Sequence, residues 1–254
     1  MKGQKVRRGR LESKQPMSVT LQDELGSSEC CGSVPTEETG GCSREEKSED
    51  LRFGHISMMG RSRVMEDAVS VAPPGKVGGE YAFFAVYNGH GGYRAAEICS
   101  ERMHKYLDRH VERAKKSLKE KNLNWEPDRP DEKERVEAAG GNIIDWNDWR
   151  LEGVLATSRC LGNHRLKPYV IPDPEVSMYK RKESDDFLIV ATDGLWNVVS
   201  NDIACDIVRR CLHDQTSRPL QGGSGADVAA SMLAELAIAK GSKDNISIIV
   251  VQLD

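Results

Sequence analysis

From Tyr81 to Tyr87 the chain reads Tyr-Ala-Phe-Phe-Ala-Val-Tyr, then breaks abruptly into Asn88-Gly89-His90-Gly91-Gly92. Seven residues without a charge, closed by a turn that only glycines make easy, predict a strand buried on both faces. Two more segments have the same design. Phe187 to Thr192 is strongly apolar and ends in Asp193-Gly194, and the β-branched run Asn245 to Leu253 is preceded by Asp244. Phe53 to Met59 and Val64 to Val71 predict two further strands joined by a short polar turn.

Helical spacing lies between these strands. Tyr93 to Lys121 predicts a long helix whose first half carries an apolar face of Ala95, Ile98, Cys99, Met103, Tyr106 and Leu107. In its second half Leu118 stands almost alone among charges, so that part is expected to project into solvent or fray. Asp131 to Ala139 predicts a short helix stopped by Gly140-Gly141. Ile143 to Trp146, Val154 to Ser158 and Glu175 to Tyr179 read as short strands. Asp202 to Leu212 and Ala226 to Ala239 read as helices, the second with Val228, Met232, Leu236 and Ile238 on its buried side. Strands at both ends, helices between them and no βαβ alternation predict an α+β sandwich.

The first 50 residues are of another kind. They are rich in Ser, Gly, Glu, Lys and Thr without an apolar period, and Ser43 to Asp50 is almost wholly charged. The expectation is a disordered polar tail over 1–50 and a folded domain over 51–254. A mean hydropathy of -0.55 agrees that part of the chain stays out of the core. A formal charge of -4 gives no sign of a nucleic-acid or membrane-surface binder, and no apolar run approaches the roughly 20 residues needed to cross a bilayer. The start, Met1 to Arg10, is basic with no apolar stretch behind it, unlike a secretory signal, and reads as a nuclear-import patch or a solvated tail. A soluble monomer of the cytoplasm or nucleus is expected. Seven scattered cysteines are no disulfide framework, and Cys30, Cys31 and Cys42 lack the C-x-x-C pair of a zinc site. Cys99, Cys205 and Cys211 fall in helical patterns as small apolar residues.

The chemistry is expected where apolar strands end in acids. Glu66, Asp67, Asp193 and Asp244 lie at strand ends or beside a turn, and strands of one sheet can deliver such residues to a common edge. Oxygen donors without a thiolate suit Mg²⁺ or Mn²⁺ better than zinc. Asp193-Gly194 and Asp244-Asn245 also read simply as turns.

Four segments then carry a resemblance in the same order as in a known family. They are Arg63-Val64-Met65-Glu66-Asp67-Ala68, Phe84-Ala85-Val86-Tyr87-Asn88-Gly89-His90-Gly91-Gly92, Ala191-Thr192-Asp193-Gly194-Leu195-Trp196 and Ser242-Lys243-Asp244-Asn245-Ile246-Ser247. They resemble the motifs of metal-dependent type 2C serine/threonine protein phosphatases, and the match runs from about Phe53 to Leu253. Pro127 to Glu132, Gly153 to Arg159 and Leu166 to Val170 are similar to the plant branch that partners abscisic-acid receptors. The resemblance implies an αββα four-layer sandwich, two antiparallel sheets flanked by helices. It implies Glu66, Asp193 and Asp244 as ligands of two Mg²⁺ or Mn²⁺ ions, with Asp67 beside them and the Gly89 carbonyl contributing. A metal-activated water would attack phosphoserine or phosphothreonine, and His90 would protonate the departing alkoxide.

The chain also departs from that pattern. Asn88 stands where the family has an aspartate bridging both metals, and a neutral amide is a poor bridge. Ser62 stands in place of the phosphate-gripping arginine; Arg61 and Arg63 flank it, and neighbours on a strand would point to the opposite face. Asn197 and Asn163 replace aspartates. A Gly-Ser-Thr-Ala strand and an Ala-Asn-x-Gly-Asp-Ser-Arg hairpin, present in relatives before the segment matching Pro127, are missing from this sequence, so an incomplete sandwich is expected. The resemblance implies two readings: a phosphatase acting weakly or no longer on phosphoproteins, or an inactive binding protein for kinases or hormone-bound abscisic-acid receptors. For the second, Trp146 is the expected receptor anchor.

Overall fold

A computed structural model describes residues 5–8, 16–17, 51–77, 81–117, 129–145, 149–174, 176–177, 179–213 and 224–253. In chain order the elements begin with strands β1 (Lys5–Arg8), β2 (Pro16–Met17), β3 (Phe53–Met58), β4 (Ala68–Val77) and β5 (Tyr81–Tyr87). Helices α1 (Arg94–Ser117) and α2 (Pro130–Ala138) follow, then strands β6 (Ile143–Asp145), β7 (Trp149–Leu151), β8 (Val176–Ser177) and β9 (Phe187–Ala191). The chain continues with α3 (Asp193–Trp196), α4 (Asn201–His213), α5 (Gly225–Ala239) and β10 (Ile246–Gln252).

Four layers result, and the period-2 alternation of the strands assigns each side chain to its layer. One sheet has the order β1-β9-β10-β3 with every neighbour antiparallel, and β4 pairs with β5 as a separate antiparallel hairpin. Phe187, Ile189 and Ala191 of β9 and Ile246, Ile248 and Val250 of β10 face α4 and α5. Their alternates Leu188, Val190, Ile249 and Val251 face Val69, Val71, Phe84 and Val86 of the hairpin. The hairpin's other side, Ala68, Phe83, Ala85 and Tyr87, meets Ala96, Cys99 and Met103 of α1. Helices, sheet, hairpin and helix therefore stack as an α+β sandwich. α5 starts from a capping box in which the Ser224 hydroxyl accepts from Asp227 N–H at 3.2 Å and the Asp227 carboxylate accepts from Ser224 N–H at 2.9 Å.

Several expectations are corrected. β4 begins at Ala68, not Val64, because the Asn245 side chain bonds the backbone of Met59, Val64 and Glu66 and holds 59–67 as a loop. Arg61, Ser62 and Arg63 are therefore not strand neighbours, and the alternation that would turn the arginines away does not apply. Of the residues expected on the buried side of α5, Val228, Leu236 and Ile238 are half-buried against the core but Met232 is exposed; Ala226, Ala229, Ala230, Leu233, Ala234 and Ala237 are fully buried, and their mostly small side chains let the helix lie close on the sheet. Ile98 is likewise exposed on α1. In place of a strand over Val154 to Ser158, a tight turn with Glu152 at φ 51° follows β7. Of the cysteines expected inside, Cys205 and Cys211 are buried and Cys99 is half-buried. Two short strands, β1 and β2, lie in the polar first 50 residues, β1 at the edge of the main sheet beside β9.

A smaller core lies apart from the layers, where Val136 of α2 packs with Leu151, Leu155, Cys160 and Val170. One buried carboxylate fastens it. Glu132 receives Arg159 Nη2 at 2.5 Å, Arg135 Nη2 at 3.0 Å and the Ser158 hydroxyl, while Arg135 also donates to the carbonyls of Ser158 and Tyr169. Burial alone would raise the Glu132 pKa, but the hydrogen bonds from Arg159, Arg135 and Ser158 and the charge of Arg159 outweigh it and hold it at about 2. A depressed carboxylate stabilises the fold above its unfolded pKa of about 4.5, and that contribution is lost as pH falls through about 2. Glu132→Gln should cost roughly 3 kcal/mol at neutral pH, since Arg159 and Arg135, and Arg129 at 3.7 Å, lose its counter-charge. Melting temperatures of wild type and Glu132→Gln should converge between about pH 4.5 and pH 2; a constant gap across that range would show that the carboxylate charge is not what fastens this core.

Candidate functional site

The acids reach one corner through strand register. In the antiparallel pair β9–β10, Ala191 faces Ile248, and the pairing runs one step beyond β9: Thr192 N–H donates to Ser247 O at 3.0 Å. Ser247 N–H donates in return to the Thr192 hydroxyl at 3.1 Å. Asp193, after β9, and Asp244, before β10, therefore emerge at the same sheet edge. β4 and β5 begin and end there too, with Ala68 opposite Tyr87, which sets Glu66 and Asp67 beside Asn88 and Gly89.

Close backbone approach then fixes the corner. A Cβ on Gly89 would lie 2.0 Å from the Glu66 carbonyl oxygen, and one on Gly194 would lie 1.9 Å from that of Asn245, so neither position accepts a side chain without moving backbone. The Asp67 carboxylate accepts from the Thr192 hydroxyl at 2.9 Å and from Gly89 N–H at 3.3 Å. Burial pushes its pKa up to about 6, against the lowering hydrogen bonds of Thr192, Ser247 and Gly89 and with the help of the Asp244 charge. Asn88 is 2% exposed, and its amide Nδ2 donates to Asp193 Oδ1.

Glu66 is held at both ends. Its N–H donates to Asn245 Oδ1 at 2.8 Å, and its carboxylate accepts from Gly92 N–H at 2.5 Å. That second bond ties it to the turn that carries His90, which is half-buried. The residues missed in the sequence are Thr192, Ser247 and Asn245. Their signal was present: polar side chains at or inside strands otherwise made of buried aliphatics must find partners. The partners themselves were not readable.

The donor set does not fit two divalent cations in this arrangement. At the centre of the corner Asn88 offers a neutral amide, and its N–H points at Asp193 Oδ1, an oxygen such a cation would need. Among the described residues no three His, Cys, Asp or Glu side chains stand close enough to hold one metal ion. Of the other two asparagines singled out in the sequence, Asn197 donates its N–H to Asp193 O at 2.9 Å and closes α3. Asn163 Oδ1 accepts from Leu166 N–H at 3.3 Å in a turn. Trp146 and the junction before Pro127 lie outside the described residues.

Comparison with known proteins is consistent with this geometry. A family description, protein phosphatase 2C, matches residues 113–246, a span that includes Asp193 and Asp244 and begins after Glu66 and His90. The chain is 38% identical over 302 aligned positions to probable protein phosphatase 2C 8 of Oryza sativa subsp. japonica, covering 80% of this chain and 74% of that protein. It is 33% identical over 294 positions to protein phosphatase 2C 56 of Arabidopsis thaliana, covering 79% and 68%. A phosphatase crystal structure from Toxoplasma gondii shares the fold with a TM-score of 0.64 at 18% identity, covering 80% of this chain and 93% of that one.

The amide at Asn88 carries a prediction about metal. In Asn88→Asp two carboxylates would meet where an amide now bonds one, and like charges at that distance need a cation or a proton between them. The metal-free variant should melt below wild type, and saturating Mn²⁺ should raise it by roughly 5 °C or more. Wild type should shift by much less. Equal responses in a thermal melt with and without Mn²⁺ would show that the amide does not stand in for a cation.

Proposed function

The chain belongs to the protein phosphatase 2C family, and we propose that its serine/threonine phosphatase activity is weak or lost. Members of this family are metal-dependent hydrolases of phosphoproteins. The observation that carries the reading is the hydrogen bond from Asn88 Nδ2 to Asp193 Oδ1, which engages a metal-ligand oxygen with a neutral donor. Charge is the reason it matters. A bridging carboxylate offsets part of the charge of two cations and binds both, whereas an amide oxygen binds one weakly and offsets nothing. His90 would remain as the group that protonates a leaving alkoxide, but without a paired-metal centre no strong nucleophile forms at neutral pH.

The proposed absence of a central segment agrees with the same reading. The aligned span with the rice relative, 302 positions, is longer than the whole 254-residue chain, so residues of that relative have no counterpart here, which is compatible with a missing central segment. Among the described residues the main sheet faces a hairpin of two strands. The hairpin carries Asp67 and Asn88 at its ends, so loss of strands beside it would weaken the support of those residues.

A second reading, a binding protein, is favoured by how well the corner satisfies itself. Asn88, Asp67, Thr192, Ser247 and Asn245 are hydrogen-bonded within the protein, so the fold needs no cation to keep these groups paired. Its partners would be kinases or hormone-bound abscisic-acid receptors of the cytoplasm or nucleus, with Trp146 as anchor between β6 and β7. Trp146→Ala should then raise the Kd for a hormone-loaded receptor by about 5- to 30-fold with little change in melting temperature; a large drop in melting temperature would make it a core residue instead.

Turnover tests the first reading. A phosphothreonine peptide in excess Mn²⁺, with Asp193→Ala as blank, should show little or no blank-subtracted release of phosphate. Asn88→Asp combined with Ser62→Arg should still fall far short of the family's turnover, because displacement of a ligand set by about 1 Å already removes much of its advantage. Robust wild-type turnover would overturn the proposal, and robust turnover by the double variant would show that the shortened fold still positions its ligands.

A further inference from the structure

We propose that Asn245 is a positioning residue that sets Asp244, Glu66 and the His90 turn relative to one another; this rests on the reading of that corner as the phosphatase site. Asn245 is 3% exposed and sits at the entry to β10. Its side chain has one strong acceptor and two N–H donors, and all three are spent on a single loop. Oδ1 accepts from Glu66 N–H at 2.8 Å, and Nδ2 donates to the carbonyls of Met59 and Val64 at 3.0 Å each. Its own N–H donates to Asp244 Oδ1 at 2.9 Å and so orients that carboxylate.

The effect passes one step further through Glu66. The Glu66 carboxylate accepts from Gly92 N–H at 2.5 Å, so the backbone position that Asn245 fixes determines where that carboxylate meets the turn after His90. Residues 59–67 contain neither helix nor strand, and they expose Arg61, Arg63 and Val64, the last to 54%. A loop so exposed has little apolar burial to hold it, so its place depends on the buried amide beneath it. No other residue type supplies this pattern on so short a stem. Aspartate lacks both donors and would set a negative charge against two carbonyl oxygens, while alanine would remove the partner of Glu66 N–H and of the Val64 carbonyl and leave the Met59 carbonyl only Ser62 N–H.

The test is native-state amide exchange with limited trypsin digestion, neither of which requires metal or turnover. In Asn245→Ala, exchange in 59–66 and at Gly92 should rise about tenfold or more, while β9, β10 and α5 keep wild-type protection. Trypsin should cut after Arg61 and Arg63 in the variant faster than in wild type. Glu66→Ala should separate the two steps, freeing the Gly92 amide while trypsin still finds Arg61 and Arg63 protected. Asn245→Asp, which keeps the oxygen facing Glu66 N–H, should open the trypsin sites even if Asn245→Ala does not fold. Unchanged exchange at 59–66 and Gly92 in a folded variant would overturn the proposal. So would loss of protection throughout β9 and β10 in both Asn245 variants, which would make Asn245 a residue of general stability. A protein with no turnover at all can still pass this test, so its failure and that of the phosphatase reading are separate results.

Discussion

The register between β9 and β10 is the constraint on which the rest of the structure depends. Both strands bury both faces, one against α4 and α5 and the other against the β4–β5 hairpin, so a slip of one residue would move every side chain into the wrong layer. With Ala191 set opposite Ile248, the exchange between Thr192 and Ser247 follows, and Asp193 and Asp244 come out at one edge. Apolar packing thus fixes the position of the polar corner without any polar group having to attract another over a distance.

Inside that corner, burial sets the rules for charge. Thr192 and Ser247 are fully buried, and their hydroxyls take part in hydrogen bonds with Asp67 and Ser57. Asp67 pays a desolvation penalty that raises its pKa, and Asp244 adds to it by repulsion. In such surroundings a neutral Asn88 is easier to accommodate than another carboxylate. The substitution that weakens the case for catalysis is therefore one that the metal-free fold tolerates well.

The α2 region follows a different design. Its aliphatic core is small, and a buried carboxylate with two arginines fastens α2 to the segment from Ser158 to Tyr169. Ion pairs of this kind give direction more than net stability, because desolvation offsets much of the attraction. The region's attachment is therefore sensitive to loss of one partner in a way that the aliphatic layers are not.

The sequence by itself determined the strands that end in acids, the helices between them and the sandwich class, because apolar period and glycine turns are local signals. It also gave the neutral amide of Asn88 among the acids, since residue identity needs no coordinates. It could not show where Val64 and Arg63 lie. Their spacing suits a strand, but Asn245, 181 residues from Val64 in the chain, takes the backbone groups that strand pairing would use. Nor could it show that Met232 of α5 turns outward while Val228, Leu236 and Ile238 flank the core, because the alanine face allows the closest contact with the sheet. Only the tertiary structure decided those points, and it alone gave Asn88 its partner in Asp193 and Glu132 its arginines, because each depends on which distant groups remain to be satisfied once the layers have packed.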